Sequence, residues 1–336
     1  MKIITCAGYY RTGSSAISDF FSEFENCKSL GDFEVRFLQD PDGISDLEYN
    51  LIENNHRHNT SHAIKRYKKL VNFLNGTWYA PRYRKYFGNM FMKCSLEYID
   101  KITELQCKSW WHRDQIDRGS WFYFFDRVYA QFVGVFQKER FNISMLQNES
   151  AYFTHITKEE FYKYTRQYLQ EIFNYANEND DDYMMIDQLV PPSNINRYLN
   201  YFDDIKVISV ERDPRDLYVL EKVKYRWGII PYKDVETFCE WYRITRTHRK
   251  YEKDDTNKVV RIYFEDLIYR YEETSNMLIN FIGLKKENHT LKKEFFNPEI
   301  SIKNTRVYLT YPELKADVEY IEKHLEEYLY GLPSKD

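Results

Sequence analysis

The residues most able to do chemistry lie at two places in this chain. The first is Gly8-Tyr9-Tyr10-Arg11-Thr12-Gly13-Ser14-Ser15, which reads G-x-x-x-x-G-S-S. A glycine loop of this kind binds anions when it joins a strand to a helix, because successive backbone N–H groups and the helix N-terminus converge on one point. Gly8 and Gly13 let the backbone bend, and Ser14 and Ser15 add hydroxyl donors. The loop lacks the Lys that an NTP-hydrolysing loop places before its Ser/Thr, and its cation is Arg11 instead. Read alone, the two glycines also fit a plain β–α turn.

The second place is Glu211-Arg212-Asp213-Pro214-Arg215-Asp216, directly after the β-branched run Lys206-Val207-Ile208-Ser209-Val210. Strand ends of a parallel sheet border its ligand crevice. The Arg212 guanidinium, planar and always charged, suits a phosphate monoester. A helix-capping aspartate beside an ion pair is the competing reading of the same residues.

The elements that must position these residues follow from periodicity. Lys2–Ala7 reads as a short buried strand ended by Gly8. From Ser14 to Phe24 the apolar residues Ala16, Ile17, Phe20, Phe21 and Phe24 share one helix face. Strands are predicted again at Asp182–Asp187, Lys206–Val210 and Lys258–Tyr263. Helices are predicted after Pro191 through Phe202, after Asp216, at Phe238–Tyr251 and at Asp266–Ile282. Tyr311–Tyr330 closes the chain as a helix after an irregular stretch at Asn297–Arg306. Strands alternating with helices imply an α/β fold, a parallel sheet between helical layers. About 37–180 reads differently, as helices at Asp46–Glu53, Ser61–Leu74, Phe91–Leu105, Trp121–Phe136 and Glu159–Ala176 without a convincing strand. The expectation is one domain over 1–336 carrying a large helical insertion.

Composition sets the outer limits. The 336 residues carry a net charge of −4, so no global basic field points to nucleic acid. Basic runs at Lys65–Lys69, Arg82–Lys85 and Arg243–Lys250 fit either solvated helix faces or the rim of an anion site. Five scattered cysteines form no C-x-x-C pair, which argues against a zinc site or disulfide framework and for a reducing compartment. No apolar run reaches a membrane span, and Met1-Lys2 leads into a strand with no signal-peptide pattern. A cytoplasmic protein is expected. The 31 Tyr and 23 Phe fill cores or line grooves equally well.

Taken in order, these segments resemble 3′-phosphoadenosine-5′-phosphosulfate (PAPS) dependent sulfotransferases. Arg11–Ser15 is similar to their 5′-phosphosulfate loop, and Val207–Asp216 to their 3′-phosphate strand and loop. Met185-Ile186-Asp187-Gln188-Leu189-Val190-Pro191-Pro192 and Tyr263-Phe264-Glu265-Asp266-Leu267 resemble two further family segments. About Phe37–Tyr183 is unmatched. The resemblance implies a P-loop-type three-layer fold and in-line sulfuryl transfer from PAPS to a hydroxyl, with adenosine 3′,5′-bisphosphate as product. Arg11 would replace the family's usual Lys at the scissile bridge. Thr12, Gly13, Ser14 and Ser15 would hold the 5′-phosphate, and Arg212 the 3′-phosphate. Where the family commonly has a second 3′-phosphate ligand, a Ser, this chain has Leu220, so Lys303 or Arg306 is expected to supply that contact.

The transfer needs a base for the acceptor proton. Glu34 stands where carbohydrate-acting members often place a glutamate; Asp32 is its rival, and His56, His58 and His62 are further options. No metal is required. The aromatics Trp110, Trp111, Trp121 and Tyr123 fit a groove for a carbohydrate acceptor or, equally, a core. Two other readings stay open. One is a P-loop kinase of a small molecule, against which stand the missing Lys and the lack of an aspartate placed for Mg²⁺. The other is a non-catalytic nucleotide- or glycan-binding protein on the same fold. No oligomeric state is implied.

Overall fold

In the computed structural model, which describes residues 1–136 and 143–331, the N-terminal strand β1 (Lys2–Gly8) lies at the centre of a parallel sheet. Its five central residues, Ile3 to Ala7, are all buried. Successive strand residues face opposite sides, so burial of all five requires cover on both faces. The other strands are β2 (Cys27–Glu34), β3 (Tyr183–Asp187), β4 (Ile205–Glu211) and β5 (Val259–Tyr263). Their spatial order is β2-β3-β1-β4-β5, and every pairing is parallel. This is the parallel α/β sheet that the strand–helix alternation predicts, in the P-loop-type fold that the resemblance implies. Because all five strands run the same way, Gly8, Glu34, Asp187, Glu211 and Tyr263 end at one edge.

Helix α1 (Ser14–Phe21) packs its apolar stripe on one sheet face. Phe20 and Phe21 are fully buried among Ile4, Cys6, Ile208, Val210 and Leu278. Burial of each ring contributes roughly 1.5–3 kcal/mol, which anchors the helix whose first turn closes the glycine loop. Later come α2 (Pro214–Leu220) and α3 (Val235–Arg246). The helix predicted from Pro191 to Phe202 is shorter, confined to Ile195–Leu199. The closing helix likewise narrows to Lys315–His324.

Strand β2 went unpredicted. Its alternation is broken by Gly31, at φ 66°, where the register with β3 shifts between Ser29 and Glu34. A bulge interrupts the period of two by which strands are read from sequence.

The chain divides into two compact units, residues 1–39 with 173–336, and residues 40–172. The second unit falls within the stretch read as an insertion. Helices dominate it, among them Arg57–Asn75, Met90–Lys101 and Gly119–Phe136. It also holds a short antiparallel pair, Leu105–Lys108 with Ser150–Phe153, which sequence analysis did not anticipate. Several of its tyrosines are core residues with satisfied hydroxyls. Tyr98 stacks on Tyr168 at 4.7 Å, and the Tyr168 hydroxyl lies 2.6 Å from Ser95 Oγ. Among the described residues no helix is long and apolar enough to cross a membrane.

Candidate active site

The loop from Gly8 to Ser15 is bent in an unusual way. Tyr10 and Arg11 both take left-handed backbone angles, φ 68° and 52°, and Gly13 follows at φ 101°. Non-glycine residues at such angles each cost about 1–2 kcal/mol, and strain of this kind clusters at ligand sites. Turn-like loops of this kind can gather backbone N–H groups into an anion-binding concavity. Gly13 is required twice over, because a Cβ there would also lie 2.6 Å from the Phe264 ring.

A cavity of about 800 Å³ opens above this loop, entirely within the first unit. Arg11, Gly13, Ser14, Ser15, Asp32, Glu34 and Arg212 line it. Residues separated by some two hundred positions are thereby brought to one place. Thr12 is the exception in its loop: it is buried, its side chain turned toward Gly8, and it stands outside the cavity lining.

Arg212 leaves the end of β4 and is 6% exposed. Its Nη1 donates to the Arg11 carbonyl at 3.1 Å, and its Nη2 donates to the Asn304 carbonyl. Its Nε is buried without a partner. A buried, unsatisfied donor on a cation is costly unless a ligand completes it. The neighbouring residues do structural work. Asp213 caps α2 through the Arg215 amide and pairs with the Arg215 side chain at 2.6 Å. Asp216 accepts from the amides of Arg306 and Val307. The capping and ion-pair reading therefore describes Asp213 and Arg215, while Arg212 itself turns to the cavity.

Arg11 is held by a partner that sequence analysis missed. Its Nε lies 3.0 Å from Oε2 of Glu221, which is fully buried in a π-helical turn, Glu221–Tyr225, following α2. The guanidinium also sits over the rings of Tyr225 at 3.8 Å and Trp227 at 5.0 Å. Leu220, one residue earlier, is packed with Leu217 and Phe238 and offers no polar contact. From the irregular stretch, Ser301 and Asn304 line the cavity. Lys303 is exposed and Arg306 is half-buried over the Tyr269 ring, both outside the lining.

Glu34 is exposed at the end of β2, 3.3 Å from Arg36 Nη1. Its register partner on β3 is Asp187. Asp187 accepts from Ser14 Oγ at 3.1 Å, at the loop position a Lys fills in an NTP-hydrolysing loop. Its only sequence signal was its place in the Met185–Pro192 segment. His56, His58 and His62 belong to the second unit. There His58 and His62 line a smaller cavity of about 210 Å³ with Trp110 and Trp111. Trp121 and Tyr123 are exposed on the Gly119–Phe136 helix.

In the basic run Arg243–Lys250, Arg243 and Lys250 are exposed and Thr245 lines the cavity, while two arginines turn to Glu211. Arg246 is 1% exposed and pairs with Glu211 at 3.1 Å, and Arg249 takes the other Glu211 oxygen at 2.8 Å. These pairs brace the end of β4, immediately before Arg212.

Burial raises three carboxyls around the site. Burial pushes Glu265 up to about 8, although it accepts the Asp213 amide at 3.1 Å. Burial likewise raises Asp187 to about 7 and Asp216 to about 6. A raised carboxyl holds a proton in the folded state that the unfolded chain has already lost, so stability falls as pH rises through that interval. Thermal unfolding is expected to show Tm dropping between pH 5 and pH 9. Glu265→Gln removes one ionisation cost, about 5 kcal/mol at high pH, and should flatten that drop. A Glu265→Gln profile parallel to wild type would contradict the assignment.

No family model and no curated protein matches this sequence. Two solved structures are similar to it. One is the sulfotransferase STF1 from Mycobacterium tuberculosis H37Rv, 10% identical, covering 91% of this chain and 76% of its own, with a TM-score of 0.33. The other is the sulfotransferase STF9 from Mycobacterium avium, 12% identical, covering 96% of this chain and 76% of its own, with a TM-score of 0.36.

Proposed function

We propose that this chain is a PAPS-dependent sulfotransferase that transfers a sulfuryl group to a hydroxyl, with a carbohydrate as the preferred acceptor class. The observation that carries the reading is the convergence of the left-handed Gly8–Ser15 loop and Arg212, whose Nε is unpartnered, on one cavity. That donor set suits a nucleotide with phosphates at two separate positions. Ser14, Ser15 and the backbone amides of Arg11 to Ser15 would hold the 5′-phosphate. Arg212 would hold the 3′-phosphate, with the 301–306 stretch supplying the contact that Leu220 does not. PAPS when bound supplies an activated sulfuryl group; the chain's residues position it and stabilise charge at the leaving oxygen.

Arg212→Ala should weaken adenosine 3′,5′-bisphosphate binding by about 1.5–3 kcal/mol, the range for hydrogen bonds to a charged group. Adenosine 5′-phosphate should lose little. Removing Arg212 also frees the Arg11 and Asn304 carbonyls, a loss common to both ligands, so calorimetry on the pair isolates the 3′-phosphate. Equal losses would make Arg212 structural.

The reading as a whole is tested by incubating the protein with labelled PAPS and a panel of carbohydrate, phenol and alcohol acceptors, with products identified by mass spectrometry. The alternative, a P-loop kinase of a small molecule, would have to work without the loop Lys, whose place Ser14 takes. Transfer from PAPS that persists in EDTA excludes it, whereas Mg²⁺-dependent transfer from ATP would replace the sulfotransferase reading.

A further inference from the structure

The Asp187 carboxyl is 2% exposed and lines the nucleotide cavity. Its Oδ2 accepts the Ser14 hydroxyl, and its Oδ1 is buried without a partner. A serine hydroxyl has a single hydrogen, so in this arrangement Ser14 presents only lone pairs to the loop. A phosphate is itself an acceptor. For Ser14 to donate to it, the hydrogen must swing away from Asp187. Two acceptors, Ser14 Oγ and a carboxylate oxygen, would then face each other at 3.1 Å. The conflict disappears if the carboxyl carries the hydrogen.

We propose that Asp187 is the positioning residue of the anion loop, taking up a proton from solvent as the nucleotide binds and donating it to Ser14 Oγ so that Ser14 can donate to the phosphate. This inference rests on the sulfotransferase reading of the cavity and adds a proton to its binding step. The balance is simple: one proton leaves the buffer acid and one O–H forms on Asp187, with no other bond broken.

The surroundings favour the neutral form. From β2, Glu34 and Asp32 both face Asp187 with like charge. From β1, the Cys6 thiol is pushed up by burial and then by Asp187 itself. From α1 the Ser14 hydroxyl, and from the chain just after β3 the Gln188 amide, pull the other way. Burial is the largest influence and leaves Asp187 titrating at about 7 before any anion arrives. A bound phosphate adds negative charge beside it and raises that value further.

The test is calorimetric binding of adenosine 3′,5′-bisphosphate with EDTA present, in two buffers of different ionisation enthalpy, from pH 7.5 to 9. In this range the free phosphates are already fully ionised, since their second pKa is about 6. Wild type should take up roughly half to one proton per nucleotide near pH 8, and Kd should rise toward tenfold per pH unit, the limit for one linked proton. Asp187→Asn, which keeps a side-chain donor for Ser14 and cannot ionise, should bind without proton uptake and with pH-independent Kd. The wild-type measurement stands even if that variant fails to fold. Binding with no proton uptake across the range overturns this inference and leaves the sulfotransferase reading intact. Uptake that persists unchanged in Asp187→Asn also overturns it, as does affinity gained from added Mg²⁺ in place of the proton. Absence of nucleotide binding removes the reading, and this inference with it.

Discussion

Arg11→Ala is expected to lower kcat about 10²-fold or more, the loss typical when one preorganised donor to a developing charge is removed. Negative charge grows on the leaving oxygen only as the S–O bond breaks, so a cation placed there acts mainly on the transition state. On the proposed reading Arg11 is that cation. Its Nε is fixed on the buried Glu221, and its face is packed on Tyr225 and Trp227, so little rotamer freedom is left to lose. Adenosine 3′,5′-bisphosphate, which lacks the transferring group, should bind the variant nearly as well as wild type. Glu221→Gln keeps the cation and loosens its anchor, and should give a smaller loss in kcat. An Arg11→Ala enzyme with unchanged steady-state kcat would remove Arg11 from the reaction.

Glu34→Gln is expected to cost roughly 10²–10⁴-fold in turnover, the contribution of a positioned general base. The substitution preserves shape and removes basicity, so nucleotide affinity should change little. The structure brings Glu34 and Asp32 to the same cavity, so the pair must be separated by experiment. Glu34 terminates β2 at the edge where the other strand ends meet, and its longer side chain has the greater reach. The acid limb of the kcat/KM profile should disappear in Glu34→Gln, because that limb reports ionisation of the base in the free enzyme. A fully active Glu34→Gln enzyme alongside an inactive Asp32→Asn enzyme would move the role to Asp32.

Sequence by itself determined what is local. The β-branched strand, the two glycines and the amphipathic stripe of α1 lie within Lys2–Phe24 and specify strand, loop and helix through short-range rules. Val207–Asp216 is equally contiguous, so Arg212 was legible at the end of its strand. Glu34 was legible by position, although the strand carrying it was not, because Gly31 breaks the alternation. What the tertiary structure alone decided is which distant side chains complete these local pieces. Glu221 meets Arg11 across 210 positions, Asp187 meets Ser14 across 173, and Asn304 meets Arg212 across 92. Glu211 draws Arg246 out of a basic run and into the interior. None of these pairings leaves a periodic trace, because each depends on sheet order and on where a turn ends. Burial then decides their charge: a carboxyl such as Asp187 or Glu265 titrates near neutrality because the fold removes water from it, and water is not written in the chain.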